Sequence, residues 1–312
     1  MMNRKPAFLF TWTLLMGAFF LLAAPAMGSE KGGPPVDTGW SGFVRGGYVH
    51  QLDTDIDDGG SFSVNRFFIQ GGPSYFSEGG TGVSLSAGYG YDGYDFSGSR
   101  GFGGRDPWDD IHSVRFSVPV RWKFAEYWTG FVIPTIRYTG ESGADFSDAL
   151  SGGGFAGFTY RFSDSLTIGP GVGVLTQLED STRIIPVLII NWKITDTLSL
   201  NTGRGTGATL GPGLTLDWKP LPAWTFSIGG RYESLRFRLD DDGAVPDGVG
   251  SDRSFPIFGG VGYRFTPNIQ ASLIGGVEVG GELRLEDENG HTISKEDHDA
   301  AGFFGFSFSA RF

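Results

Sequence analysis

The sequence predicts an all-β chain, an antiparallel up-and-down β-barrel of 14 strands, with 12 as the next count. Three observations lead there. Apolar residues alternate with small or polar ones along most of the chain, which gives each segment one greasy face and one wet face. The alternating runs are about 10–13 residues long, beyond the usual 5–6 of a globular strand and close to the 9–11 of a tilted spanning strand. A basic residue flanked by two apolar ones then recurs at the ends of alternate runs.

The chain begins with Arg4 and Lys5, continues as FLFTWTLLMGAFFLLAA and reaches Ala24-Pro25-Ala26. That is the layout of a secretory signal peptide, so residues 1–26 are set aside from the fold. Residues 27–38 read as a flexible lead, and 39–312 as one barrel domain. After the leader no apolar run is long enough for a spanning helix; the densest, IIPVLII at 184–190, is short and contains Pro186. Cysteine is absent, which removes disulfides and thiolate metal sites. Glycine, at 52 of 312 residues, is interleaved with aromatic and β-branched residues at strand spacing, so its abundance does not signal disorder.

Three runs show the alternation most clearly. Val83, Leu85, Ala87, Tyr89 and Tyr91 share a face opposite Ser84, Ser86 and Gly88. Val114, Phe116, Val118 and Val120 oppose Arg115, Ser117 and Arg121. Leu273, Val277, Val279 and Leu283 oppose Ser272, Gly276, Glu278 and Glu282. The recurring phrase is WKF at 122–124, YRF at 160–162, WKI at 192–194, WKP at 218–220, YRF at 263–265 and ARF at 310–312. Five of the six precede a tight turn, and the sixth ends the chain, so all six belong to one edge. Exposed Trp and Tyr there make an interfacial aromatic girdle. Longer polar loops fall at the other edge, at 54–61, 94–110, 141–153, 179–182, 203–207, 240–253 and 286–299. Acidic residues crowd these loops, while the remainder of the chain after the leader is net basic. Short turns on one side, long loops on the other and no free strand edge describe a transmembrane barrel.

The last run, AAGFFGFSFSARF, alternates Phe304, Phe306, Phe308 and Phe312 with small or basic residues. It is expected to pair with the first strand, near 40–52, and close the ring. This segment resembles the C-terminal targeting strand of Gram-negative outer-membrane barrels. In size the chain is similar to monomeric 14-stranded porins, and in style to uncharacterised outer-membrane barrel families. The fatty-acid channels of the same strand number carry a long N-terminal plug that this sequence does not match. The resemblance implies a place in the outer membrane with both termini periplasmic, and contact with lipid and lipopolysaccharide. It also implies recognition of the four phenylalanines by the barrel assembly machinery.

Charged residues at membrane depth must face the lumen, since lipid exposure of Arg or Lys costs about 2–4 kcal/mol at midplane. Arg66, Arg115 and Arg137 each lie nine residues from an edge aromatic, Tyr75, Phe124 and Trp128, on the inward parity of the second, fourth and fifth strands. Glu233 and Glu278 lie nine from Trp224 and Ile269, with Arg231 and Glu282 nearby. Two clusters of opposite sign, far apart round the ring, resemble the transverse-field eyelet of general porins. They predict a passive, porin-like pore for small polar solutes or ions. Asp92 is placed to pair with Arg66 or Arg115, and local pairing of that kind would seal the lumen instead. Inward glycines at 169, 171, 173, 211, 213, 260 and 262 favour open space. Ile185, Val187 and Ile189 form an apolar inward stripe, expected to meet a folded-in 93–111 loop or a hydrophobic solute.

Two alternatives belong to other classes: a surface hydrolase at the loop mouth and a non-conducting structural barrel. The four histidines, 50, 112, 291 and 298, fall at loop ends, and carboxylates sit beside His112 and His298, a pairing able to activate water. No G-x-S-x-G occurs, and no Ser–His pair is visible at lipase-like positions, so no catalytic residue is assigned. DTDIDDGG at 53–60 departs from a calcium loop, with its glycine one place late and Val64 at the twelfth position. GRGTG at 203–207 has no helix after it to make a phosphate loop. No metal or cofactor is predicted, and the acidic exterior disfavours nucleic acid.

Overall fold

Fourteen antiparallel strands close into one barrel in the computed structural model, which describes residues 38–176, 178, 182–203, 213–243 and 245–312. The expected leader, nearly all of the lead, Gly211, and most of the 179–182 and 203–207 loops lie outside the described residues. The strands are β1 (Gly39–Asp55), β2 (Ser61–Phe76), β3 (Gly82–Ser84 and Ser86–Ser97), β4 (Asp110–Ser117 and Val120–Lys123) and β5 (Trp128–Glu141). Next come β6 (Leu150–Arg161), β7 (Leu166–Thr176), β8 (Thr182–Lys193), β9 (Leu198–Thr202) and β10 (Gly213–Leu221). The ring continues through β11 (Trp224–Arg231 and Glu233–Arg238), β12 (Val249–Thr266), β13 (Ile269–Glu286) and β14 (Thr292–His298 and Ala301–Arg311). The break in β4 falls at Val118–Pro119, where proline has no N–H to give the ladder. The only helical turn among the described residues is Gly103–Arg105, in the loop before β4.

Closure runs through the two ends of the domain. Phe43 to Gln51 of β1 pair with Arg311 to Phe303 of β14, and the other edge of β1 pairs with β2. Gly42 and Phe312 exchange backbone hydrogen bonds, which carries the ladder to the last residue. No strand edge is left at the seam, which is what a spanning sheet requires in lipid.

The outer surface is apolar. Leu273 is 69% exposed and Ile184 65%, with Ile136, Ile228, Phe116 and Phe304 also standing outward. A contiguous belt of this size has no place on a water-soluble barrel. The tight-turn edge carries the girdle: Trp40 with Tyr75 at 5.3 Å, Trp128 with Tyr160 at 4.8 Å and Trp224 with Tyr263 at 4.9 Å between ring centroids.

Two irregularities at the loop end shape the interior. In β13, Gly280 and Gly281 together oppose a single residue of β12, because the ladder shifts between Arg253↔Glu282 and Phe255↔Val279. Gly280 supplies the bend at φ +60°, a conformation that side chains resist. Beyond this bulge every side chain of β13 changes face. In β11 the ladder to β10 reaches Arg231↔Gly213; residues 233–238 stay paired with β12 but lean across the barrel to meet β5, where Arg238 and Gly140 form a parallel pair. The crossing segment and β12–β14 with β1–β5 thus enclose a narrower ring. Its mouth is filled by Phe62, Tyr94, Trp108, Phe237, Leu283 and their neighbours, all buried.

Candidate functional site: a divided, charged lumen

Arg66 leaves β2 toward the interior between buried Val64 and Phe68. Its Nη2 lies 2.9 Å from Asp252 Oδ2, its Nη1 3.2 Å from Glu278 Oε1 and its Nε 3.6 Å from Asp92 Oδ1. Nη1 also donates to Gln51 Oε1 at 3.0 Å. Tyr94 donates its hydroxyl to Asp252 Oδ2 at 2.8 Å, and Ser254 donates to Glu278 Oε2 at 2.9 Å. Arg66 and Glu278 were expected on separate walls, far apart round the ring. They are in contact, because closure through β14 and β1 sets β13 only three strands from β2, a gap that one arginine spans. Asp92 is the local partner anticipated for Arg66.

Below this cluster, toward the tight-turn edge, a cavity of about 130 Å³ continues the lumen. Arg115, Glu233, Gln70 and Gly88 line it along with the cluster itself. Gln70 accepts from Arg45 Nε at 2.9 Å and from Nη2 at 2.6 Å, which fixes a further guanidinium here. Arg231 is buried, with its guanidinium carbon 5.4 Å from the centre of the Phe258 ring.

Glu282 is not in the lumen, contrary to its expected parity. The Gly280 bulge turns Leu283 inward to the aromatic cluster and Glu282 to the outer face. There Glu282 pairs with Arg253, with Arg284 at 2.9 Å and with Lys295 at 2.9 Å. Arg137 faces inward but lines a different compartment from its ladder partner Arg115, on the other side of the crossing segment.

The interior glycines do not simply leave room. A methyl group on Gly173 would meet the Phe155 ring at 2.4 Å, so that glycine accommodates an aromatic. Phe155 joins Ile133, Ile185 and Val187 in an apolar cluster, with Ile189 packed against it. The stripe on β8 therefore meets β5 and β6 rather than the 93–111 loop. That loop instead sends Phe102 and Trp108 into the mouth, with Trp108 5.1 Å from Phe237.

Sequence reasoning missed Asp252 and Tyr94 because both were counted as loop. The strands run further than expected: β12 and β13 have 18 residues each. The alternation of Asp252, Ser254 and Pro256 against Arg253, Phe255 and Ile257 was the signal that β12 continues. Near the loop edge the Asp109 carboxyl is held above its ordinary pKa by desolvation, with Asp110, Asp106 and Asp95 adding repulsion.

His112 also departs from expectation. Its Nε2 lies 3.0 Å from Ser142 Oγ and its Nδ1 2.8 Å from the Tyr89 hydroxyl, an exposed Ser–His contact on the outer face at the loop edge. His298 is buried, 2.8 Å from the Asp299 carbonyl, and His291 contacts Asp287 at 3.2 Å. His50 contacts Asn65 at 3.0 Å. Of the closing-strand aromatics, Phe304, Phe306 and Phe308 point outward, and Phe312, 76% exposed, lays its ring over Gly42.

No protein-family model matches the chain, and no curated protein matches its sequence. Among solved structures it is similar to a FadL homologue from Pseudomonas aeruginosa, at 14% identity over 88% of this chain and 90% of that one, with a TM-score of 0.45. It is similar also to an outer membrane channel from Pseudomonas putida F1, at 8% identity, 89% and 99% coverage and a TM-score of 0.46. The NanC porin aligns at 10% identity, 86% and 99% coverage and a TM-score of 0.35. FadL-type chains, set apart on the plug, thus stand beside porins in these comparisons. The structures it resembles are outer-membrane β-barrel proteins, and this chain is a closed barrel of 14 strands.

Proposed function

We propose that the chain is an outer-membrane channel for small polar solutes, passive and narrow. The observation that carries this reading is charge inside an apolar shell: Arg66, Arg115, Glu233, Asp252 and Glu278 line a cavity within the barrel. Buried ion pairs contribute little net stability compared with a packed apolar core. A barrel built only for stability has no use for such an interior. An apolar belt, an aromatic girdle and a leader of signal-peptide layout support the outer membrane as its location, with lipid, lipopolysaccharide and the barrel assembly machinery as partners. Phe102 and Trp108 in the mouth and the Arg66 cluster below it make the resting conductance small.

The test is current through planar bilayers containing the purified full-length chain. Small, ohmic steps with a weak cation preference are expected at low salt. Arg66→Ser with Arg115→Ser should enlarge the steps and shift the reversal potential further toward cations, and Glu233→Gln with Glu278→Gln should shift it the other way. Silence from the wild type and from all these variants, in barrels that migrate as folded protein, overturns the channel.

The surface-hydrolase reading is favoured by one observation, the Ser142–His112–Tyr89 contact facing outward beside the apolar belt. A histidine that accepts the serine proton and is held by a third group is the arrangement of a nucleophilic hydrolase. Ester hydrolysis by the wild type and its loss in Ser142→Ala would establish it; equal rates in both would dismiss it.

A further inference from the structure

The loop between β3 and β4 folds back into the barrel. Gly98 (φ +129°), Gly101 (φ +69°) and Asp106 (φ +50°) make its bends. Its polar residues Ser99, Arg100, Arg105 and Asp106 stay exposed, while Phe102, Pro107 and Trp108 are buried. Phe102 and Trp108 thus anchor the loop on either side of its helical turn, Gly103–Arg105. We propose that residues 98–108 are a hinged plug, which lifts out of the mouth to open the lumen beneath.

The seat of the plug is aromatic. The Trp108 ring centroid lies 5.1 Å from Phe237, 5.4 Å from Phe102, 5.5 Å from Phe96 and 5.9 Å from Tyr94, edge to face with each. Burying two such rings favours the seated form. Tyr94 also donates its hydroxyl to Asp252, the partner of Arg66. The plug therefore rests on a residue that roofs the charged cluster, and lifting it gives water access to that cluster from the loop side.

The fastening is light for so buried a segment. Among the described residues one hydrogen bond, Gly103 N to Gly59 O at 3.3 Å, joins residues 98–108 to another loop. Gly104 N to Arg100 O, Arg105 N to Phe102 O and Asp106 N to Gly103 O lie within the plug and travel with it. Asp109, whose N–H donates to Glu141 Oε1 at 2.9 Å, marks the fixed end. Trp108 Nε1 is buried with no hydrogen-bond partner, so the indole loses water while the plug is down and regains it when the plug lifts. Asp106 adds backbone strain, since a side chain disfavours its left-handed conformation. Both effects oppose the aromatic burial and leave the lifted form as a minor state, for which about 0.1–10% is typical.

The plug rests on the channel reading for its purpose and deepens it by naming the gate, but the motion is read without current. The chain has no cysteine, so one introduced thiol reports on its own cover. In folded full-length protein in detergent, Ser99→Cys, on the exposed part of the loop, should react with a water-soluble maleimide at the rate of a free thiol. Pro107→Cys, a buried position of the plug, should react about 10- to 1,000-fold more slowly, the inverse of a 0.1–10% open fraction. Adding Trp108→Ala to Pro107→Cys should raise that rate threefold or more. Phe102→Leu should act in the same direction and decides the matter if Trp108→Ala does not fold. Reaction of Pro107→Cys as fast as Ser99→Cys, no reaction while the barrel is folded, or a rate unmoved by loss of an anchor overturns the plug. A barrel that labels as expected but passes no current keeps the plug and fails only as a channel.

Discussion

Arg66 and Asp252 are 186 positions apart in the chain and 2.9 Å apart in the lumen. The arginine is only partly exposed and the aspartate nearly buried, with Glu278 and Asp92 around the same guanidinium. Removing one partner of such a buried pair typically costs about 3–5 kcal/mol, because the remaining charge is left uncompensated. Arg66→Ser should therefore lower the urea midpoint of the folded barrel, followed by tryptophan fluorescence in detergent. Adding Asp252→Ser should recover part of the loss. A double variant no more stable than the single would show that the two residues are not coupled.

The bulge of β13 sets which residues line the mouth. Inserting one residue after Gly281 should turn Leu283 and Leu285 out of the aromatic cluster and bring Glu282 in. The expected outcome is loss of the folded band. Gly280→Ala, strained at φ +60°, should cost only about 1–2 kcal/mol. An insertion variant as stable as wild type would mean that the strand does not need Leu283 and Leu285 on the inner face.

The seam depends on a small residue beneath a large one. A methyl group at Gly42 would meet the Phe312 ring at 2.3 Å. Deleting Phe312 should leave protease-sensitive protein that no longer shows heat-modifiable migration, and Gly42→Val should lower the folded fraction by displacing the ring. Normal folded levels in the deletion would remove Phe312 from assembly.

The long acidic loops are expected to face the cell exterior and the tight turns the periplasm. A protease site inserted at Asn289–Gly290, in the turn between β13 and β14, should be cut on intact cells. One at Asp196 or Pro267, in the tight turns, should be protected. Cleavage of the tight-turn sites alone would invert the barrel.

Sequence alone was enough for the class, the strand count and the closing pair. Period-2 alternation, a repeated edge phrase and terminal phenylalanines are local signals, and lipid outside leaves them one solution, a closed ring. The inward parity of Arg66, Arg115 and Arg137 could be counted in the same way, since nothing between the edge aromatic and each arginine changes face. Glu282 could not, because Gly280 and Gly281 insert an extra residue; a glycine pair in a strand hints at a bulge but does not say which face follows. What only the tertiary structure decided is how the lumen is divided. Residues 233–238 alternate like any strand, and nothing in their periodicity records that they lean across onto β5. That choice depends on distant side chains, Phe237 against Trp108 and Arg238 under the Leu178 carbonyl. It puts Arg137 in a separate chamber from Arg66, because contacts across a lumen are made between strands that are never neighbours in the sheet.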